Sequence, residues 1–127
     1  MKKQIIYLSG AINDVSLKTA QLWRKKIMLA LKGKYTFINP LDYFYNGDYR
    51  TTVNNDKRAI GASDIMIVNL NDCGWGTAME VHLAYILNVK ILGITNKKNV
   101  KENPWIKCHV PIIYNDVNEL ILNLEDD

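Results

Sequence analysis

Glu80 ends the run Asn71-Asp72-Cys73-Gly74-Trp75-Gly76-Thr77-Ala78-Met79-Glu80, a glycine-containing loop that leads into an apolar helix. At about 100° per residue it shares a helical face with Leu83, Ala84 and Leu87, so its carboxylate points along an apolar side. A carboxylate is seldom buried without a reason. Asp56 is a second inward acid, because Val53 and Ile60 lie three residues before it and four after it, on one helical face. Asp72, in the loop after the third strand, and Asp42, after Asn39-Pro40, complete the acidic set. Acids that converge at one edge of a fold, without metal ligands around them, suit glycosidic bond cleavage. One carboxylate attacks or stabilises an anomeric carbon of oxocarbenium character, and another acid protonates or hydrogen-bonds the leaving group. A Mg²⁺ site would use a tighter carboxylate cluster with phosphate ligands, so neither a metal nor a cofactor is expected.

Each acid also has a structural account that spacing leaves open. Glu80 fits the first turn of its helix, where the macrodipole favours an anion, or a pair with a neighbouring cation. Asp56 fits a cap or a partner for Lys57 or Arg58, Asp72 a turn, and Asp42 the end of a strand. Beyond His82 and Asn88 the Glu80 helix has little polar surface, so it is read as buried in the core or against a second subunit. That burial favours a functional carboxylate.

Other side chains add to the set. The first strand ends in Tyr7-Leu8-Ser9-Gly10-Ala11, where a small hydroxyl residue and a glycine bring backbone N–H groups to the sheet edge as a cradle for an anion or a sugar. An ordinary strand-to-helix turn accounts for Ser9-Gly10 equally well. The chain has neither the G-x-G-x-x-G dinucleotide fingerprint nor a G-K-[ST] phosphate loop. His82 falls opposite Glu80 on the helix, as a surface or subunit-contact residue. His109, in Pro104-Trp105-Ile106-Lys107-Cys108-His109, is placed in a polar loop between the last two strands, within reach of a ligand. Trp75 and Trp105 suit stacking on a base or simple packing. No Ser-His-Asp or Cys-His arrangement is visible, and Cys73 and Cys108 lack C-x-x-C spacing.

The elements that must position these residues can be read from periodicity. Five runs rich in β-branched and aromatic residues read as strands: Ile5 to Leu8, Tyr35 to Asn39, Ile65 to Leu70, Lys90 to Thr95 and Pro111 to Tyr114. Several are continuously apolar, as strands covered on both faces require. Between the first two, Ala20, Trp23, Ile27 and Ala30 recur at helical spacing, while Lys18, Arg24, Lys25 and Lys32 are assigned to the solvated surface. Further helices are expected from about Val53 to Gly61, Thr77 to Asn88 and Val117 to Leu124, the last with Asp116 and Glu119 in capping-box spacing. Alternating strands and helices give a doubly wound α/β fold: one five-stranded, mainly parallel sheet with helices on both faces, of the Rossmann or flavodoxin kind. Ligands in such sheets bind beyond the carboxyl ends of the strands.

The 127 residues, 48% of them hydrophobic, suffice for one domain, residues 1–127, with one packed core and only the last three residues frayed. The net charge of +3 comes from scattered lysines rather than a basic stripe, which disfavours a nucleic acid polymer as partner. No apolar run approaches membrane-spanning length and the chain opens directly on a strand, so a cytoplasmic location with reduced thiols and no membrane contact is expected.

Taken in order, these pieces form a pattern. The chain resembles the nucleoside 2-deoxyribosyltransferases and the related nucleotide N-glycosidases over most of its length. The matching pieces are Ile6-Tyr7-Leu8-Ser9-Gly10, Asn54-Asn55-Asp56, Ser63-Asp64-Ile65-Met66, and Gly76-Thr77-Ala78-Met79-Glu80 followed by Ala84-Tyr85. The resemblance implies a retaining double displacement in which Glu80 attacks the anomeric carbon, Tyr7 orients Glu80, and Asp56 and Asp72 hold sugar hydroxyls or the leaving base, one of them as proton donor. It also implies a small-molecule nucleoside or nucleotide substrate held by Ser9, Gly10, Asp42, Gly76 and Thr77, and a homodimer or higher homo-oligomer whose partner brings Trp105 and His109 to the site. Two features depart from the pattern. The Asp72–Glu80 spacing is long, and the loop Ala11-Ile12-Asn13-Asp14 lacks the arginine of phosphate-preferring relatives, which favours nucleosides over monophosphates. The alternative reading is a hydrolase, a (deoxy)nucleoside 5′-monophosphate N-glycosidase in which water takes the place of the second base, and a non-catalytic nucleotide-binding module is the alternative from another class.

Overall fold

The computed structural model describes residues 2–43 and 48–126. Five strands, β1 (Ile5–Ser9), β2 (Thr36–Ile38), β3 (Ile65–Asn69), β4 (Lys90–Ile94) and β5 (Ile112–Tyr114), form one sheet in the order β2-β1-β3-β4-β5. Every neighbouring pair is parallel, with Tyr7 opposite Ile38 and Met66 across the register. This is the flavodoxin-like order, whose switch point lies between β1 and β3. Among the described residues six α-helices and a 3-10 turn (Pro40–Tyr43) connect or follow the strands: α1 (Leu17–Ala30), α2 (Tyr49–Gly61), α3 (Trp75–Ile86), α4 (Lys98–Lys101), α5 (Pro104–His109) and α6 (Val117–Glu125).

The period of two along each strand divides the core into two layers. Ile6, Leu8, Ile65, Ile67, Leu92 and Ile94 face α1 and α6, where they pack on Ile27, Leu31, Leu120, Ile121 and Leu124. Tyr7, Met66, Val68 and Ile91 face the other way, onto Ile60 of α2, Val81 and Ala84 of α3, and Val110 after α5. Tyr7 and Ser9 therefore emerge on the α2–α3 side of β1, while Leu8 between them is committed to the α1–α6 side. Both faces of the central strands are covered, which is why their sequences read as unbroken apolar runs.

Local chemistry sets the element boundaries. Ser16 caps α1 by accepting from Thr19 N (3.1 Å), and Asp116 caps α6 by accepting from Glu119 N (2.8 Å). α2 starts at Tyr49, four residues before the expected Val53, because Asp48 accepts from Arg50 N (3.0 Å) and Thr51 Oγ1 (2.8 Å). α3 starts two residues early, at Trp75, and ends in a Schellman turn. There Asn88, at φ 61°, donates to Tyr85 O (3.2 Å), and Val89 N donates to Ala84 O (3.0 Å). α6 includes Glu125, one of the three residues read as frayed, and Asp127 lies outside the described residues.

Two expectations are corrected. The Pro104–His109 segment is a helix, not a polar loop: Asn103 accepts from Trp105 N (2.9 Å) and Ile106 N (3.3 Å), with Pro104 set in the first turn. Arg24, assigned to the solvated face of α1, is 0% exposed. It follows Ala20 by four residues and precedes Ile27 and Leu31 on the inward face, so helical geometry overrides its charge.

The left-handed Asn88 gives a direct test of the α3 terminus. Asn88→Ala should lower stability by about 1 kcal/mol in urea titrations, whereas Asn88→Gly should keep or slightly raise it. Equal losses in both variants would show that the side chain, not the backbone conformation, matters there.

Candidate active site

Glu80 lies one turn into α3, where the helix passes the carboxyl end of β1. Its Oε2 accepts a hydrogen bond from the Tyr7 hydroxyl (2.8 Å), and its Oε1 accepts one from Ser9 Oγ (2.7 Å). Both donors come from the same face of β1, spaced by the two-residue strand repeat, so one strand fixes both oxygens. Burial raises the Glu80 carboxyl to about 7; the Ser9 and Tyr7 bonds oppose that rise, nearby Asp56 adds to it, and Arg24 opposes it. Burial, followed by the charges of Glu80 and Asp56, pushes the Tyr7 phenol far above its usual range, so Tyr7 remains a donor.

Asp56 projects from α2 toward the same point, and burial raises its carboxyl too. Its inward face is shared with Ala59 and Ile60, while Val53 is 46% exposed and marks the outer side. Tyr43, on the 3-10 turn Pro40–Tyr43 after β2, was not singled out from sequence. Its hydroxyl is buried beside Asp56 and Tyr7 without a hydrogen bond of standard geometry, and burial followed by the charge of Asp56 raises it. Asp14 was missed as well: its carboxylate lies in front of Gly74, 3.2 Å from where a Cβ would stand. Asp14, Asp56 and Glu80 together line a cleft of about 300 Å³ with Gly10, Thr52, Trp75, Gly76 and Thr77.

The expected residues thus divide. Tyr7, Ser9, Gly10, Asp56, Gly76, Thr77 and Glu80 come together around this cleft. Gly10 also has a packing reason, since a Cβ there would meet the Trp23 ring at 2.7 Å. Asp72 is elsewhere: it sits at φ 57° in the turn after β3, faces Lys97 at 3.8 Å, and lines a separate cleft beside Trp23. Asp42 is exposed on the 3-10 turn, and among the described residues its carboxylate bonds none of the Glu80 set. Asp64, part of the Ser63-Asp64 motif, accepts from Ile5 N (2.8 Å) and ties β1 to the start of β3.

Trp105 and His109 are on the outer side of α3. They border an apolar groove of about 710 Å³ with Met79, His82 and Ile106, which adjoins the Glu80 cleft at Trp75. His109 is not free to swing: its Nδ1–H donates to Trp105 O (2.8 Å), which leaves Nε2 to accept from the His82 Nδ1–H (2.9 Å). This tautomer assignment follows from the carbonyl, which can only accept.

No family model matches the chain, and no curated protein matches it in sequence. Solved structures match it in shape. A 2-deoxyribosyltransferase from the psychrotolerant bacterium Bacillus psychrosaccharolyticus aligns at a TM-score of 0.74 and 21% identity, over 92% of this chain and 90% of that one. A CMP N-glycosidase from Clostridium botulinum aligns at 0.68 and 21% identity, over 96% of this chain and 98% of that one. The fold is that of the 2-deoxyribosyltransferases. It also extends to the single-stranded-DNA-binding DNA processing protein A of Helicobacter pylori, at a TM-score of 0.62 and 13% identity over 98% of this chain and 81% of that one. Shape alone therefore assigns no reaction, and the side chains must do so.

The raised Glu80 carboxyl has a consequence for stability. A carboxyl near 7 in the folded chain, against about 4.3 when unfolded, holds its proton more tightly in the native state. Its contribution is complete below about pH 4 and is lost as pH rises through about 7, up to roughly 3 kcal/mol. Glu80→Gln should therefore unfold at higher urea than the parent at pH 8, by up to about 3 kcal/mol, with the gap closing at pH 4. A difference that does not change with pH would mean that Glu80 is not the titrating group.

Proposed function

We propose that this protein is an enzyme, a single domain that cleaves the N-glycosidic bond of a 2′-deoxynucleoside and transfers the pentose to a second base through a covalent intermediate on Glu80. The carrying observation is the Glu80 carboxyl, half-buried and met by two hydroxyl donors, with the Asp56 carboxyl in the same cleft. Ionised Glu80 attacks C1′, and the bond from C1′ to the base breaks with its electron pair passing to the base nitrogen. Asp56 gives its proton to the departing base from the same cleft. A second base then attacks C1′, displaces the Glu80 oxygen and returns a proton to Asp56. Tyr7 and Ser9 fix the carboxylate and stabilise its charge each time it is released.

The cleft also favours a nucleoside over a monophosphate, because the described residues lining it include three acids and no lysine or arginine. Water as the second acceptor would make the same site a hydrolase, a reading that the likeness to a CMP N-glycosidase supports. Incubation with deoxyinosine and free adenine or cytosine separates these readings by chromatography. Exchanged nucleoside is expected, hypoxanthine alone would indicate hydrolysis, and ligand that binds without turnover would indicate a binding module. Glu80→Gln should lower kcat by about 10³ or more and abolish the sugar adduct seen by mass spectrometry with a slow fluorinated deoxynucleoside. Asp56→Asn should lower kcat by about 10². Parental turnover in Glu80→Gln would end the nucleophile assignment.

The proposal includes a homodimer or larger homo-oligomer. Trp75 (85% exposed), Met79 (68%), Ile86 (58%) and Trp105 (72%) leave the outer side of α3 and α5 apolar and uncovered, and this side borders the Glu80 cleft. Met79→Lys should sediment as a monomer and lose turnover, since the partner's exposed Trp105 would no longer reach the site. A monomer of parental activity would refute the shared site.

A further inference from the structure

Arg24 is a charged side chain to which the reaction scheme assigns no role. It is wholly buried on the α1 side of the sheet, and among the described residues no carboxylate lies within ion-pairing distance of it. Burial lowers its pKa only to about 10, so it stays charged near neutrality. Three of its five N–H donors go to backbone oxygens: Nη1 bonds Ala20 O (2.7 Å), Nε bonds Leu8 O (3.3 Å), and Nη2 bonds Gly10 O (3.1 Å). Its guanidinium lies 4.5 Å from the centre of the Trp23 ring, whose edge presses on Gly10. A methionine would fill a similar volume without a desolvated charge, so the charge calls for an explanation in what it acts on.

The carbonyls of Leu8 and Gly10 bracket Ser9, and Tyr7 and Ser9 are the two donors to Glu80 on the opposite face. The end of β1 is thus gripped from both sides, by Arg24 beneath and Glu80 above. We propose that Arg24 is a positioning residue for the Glu80 site: its planar fork fixes the peptide groups around Ser9, which aims the two hydroxyl donors, and its positive charge supports the ionised carboxylate through the sheet. This rests on the reading of Glu80 as nucleophile. A lysine would keep the charge but cannot span two backbone carbonyls in one plane, so the two contributions separate by substitution.

The test compares Arg24→Met and Arg24→Lys by steady-state kinetics and by following the Glu80 side-chain carbonyl in ¹³C NMR, assigned by its disappearance in Glu80→Gln. In Arg24→Met the Glu80 midpoint should move up by about half a pH unit or more, and kcat should fall about tenfold with KM held within about twofold. In Arg24→Lys the midpoint should stay near the parental value while kcat still falls. If Arg24→Met does not fold, Arg24→Lys decides: lowered kcat at unchanged KM supports the clamp, and parental kcat overturns it. An unmoved midpoint in folded Arg24→Met also overturns the proposal. Should Glu80→Gln turn over substrate like the parent, the nucleophile reading fails instead, while the NMR midpoint in Arg24→Met still reports whether Arg24 acts on Glu80.

Discussion

The structure depends on a carboxyl being tolerable inside a protein. Glu80 is desolvated by the α2–α3 layer of the core, and ionising it there would be prohibitive without compensation. Tyr7 and Ser9 supply that compensation through one hydrogen bond to each oxygen, both from residues that a single strand places two apart. The result is a carboxyl balanced near neutrality, which can be ionised in the cleft without an unpaired buried charge. Any change in the pitch of β1 or the seat of α3 would spoil both bonds at once.

That constraint explains much of the local architecture. Tyr7 must be part of the core and also a donor into the cleft, so it sits in the middle of a strand buried on both faces. Leu8 must face the other layer, and its carbonyl is then available to Arg24. Gly10 must be small because Trp23 closes over it from the same side as Arg24. Asp64 fastens the start of β3 to the start of β1 through Ile5 N, which keeps the two strands flanking the switch point in register. Positions that look like independent motif fragments in the sequence are parts of one mechanical unit around β1.

The sequence carried the sheet, its parallel character and the main helices because those follow from local periodicity. It also carried Glu80, Asp56 and Ser9 toward one end of the sheet, since the strand ends and the α3 face are legible without coordinates, while Tyr7 beside Glu80 followed only from the family resemblance. What it hid depends on orientation and on capping. Arg24 reads as solvent-facing by charge, although its spacing from Ala20 and Ile27 marks it as inward. The Asn39-Pro40 turn is legible, with Asn39 Oδ1 accepting from Leu41 N (3.1 Å), but not the side on which Tyr43 leaves it. α5 was missed because six residues are too few for a periodic signal, though Asn103-Pro104 is a helix start. Asp72 entered the site set by its proximity in sequence to Glu80, and the left-handed turn at that residue carries it toward Lys97 instead.

α3 unites the two halves of the functional reading. Its inner side carries Glu80, Val81 and Ala84, and its outer side carries Trp75, Met79, His82 and Ile86. A helix with both sides apolar is costly in water unless something covers the outer one. His82 and His109 do not lessen that cost, because their ring nitrogens are engaged with each other and with Trp105 O, leaving only His82 Nε2 to meet solvent. The same helix that needs a hydrophobic environment to raise the Glu80 carboxyl thus presents a hydrophobic face outward, and Trp75 at its first turn belongs to both the cleft and the outer groove. Covering the outer face would further exclude water from the cleft entrance, where the proposed pentose ester on Glu80 would be open to hydrolysis. In the proposed reaction, assembly and the choice between transfer and hydrolysis would thus be coupled through one helix, with the residues at its first turn governing how much water enters the cleft.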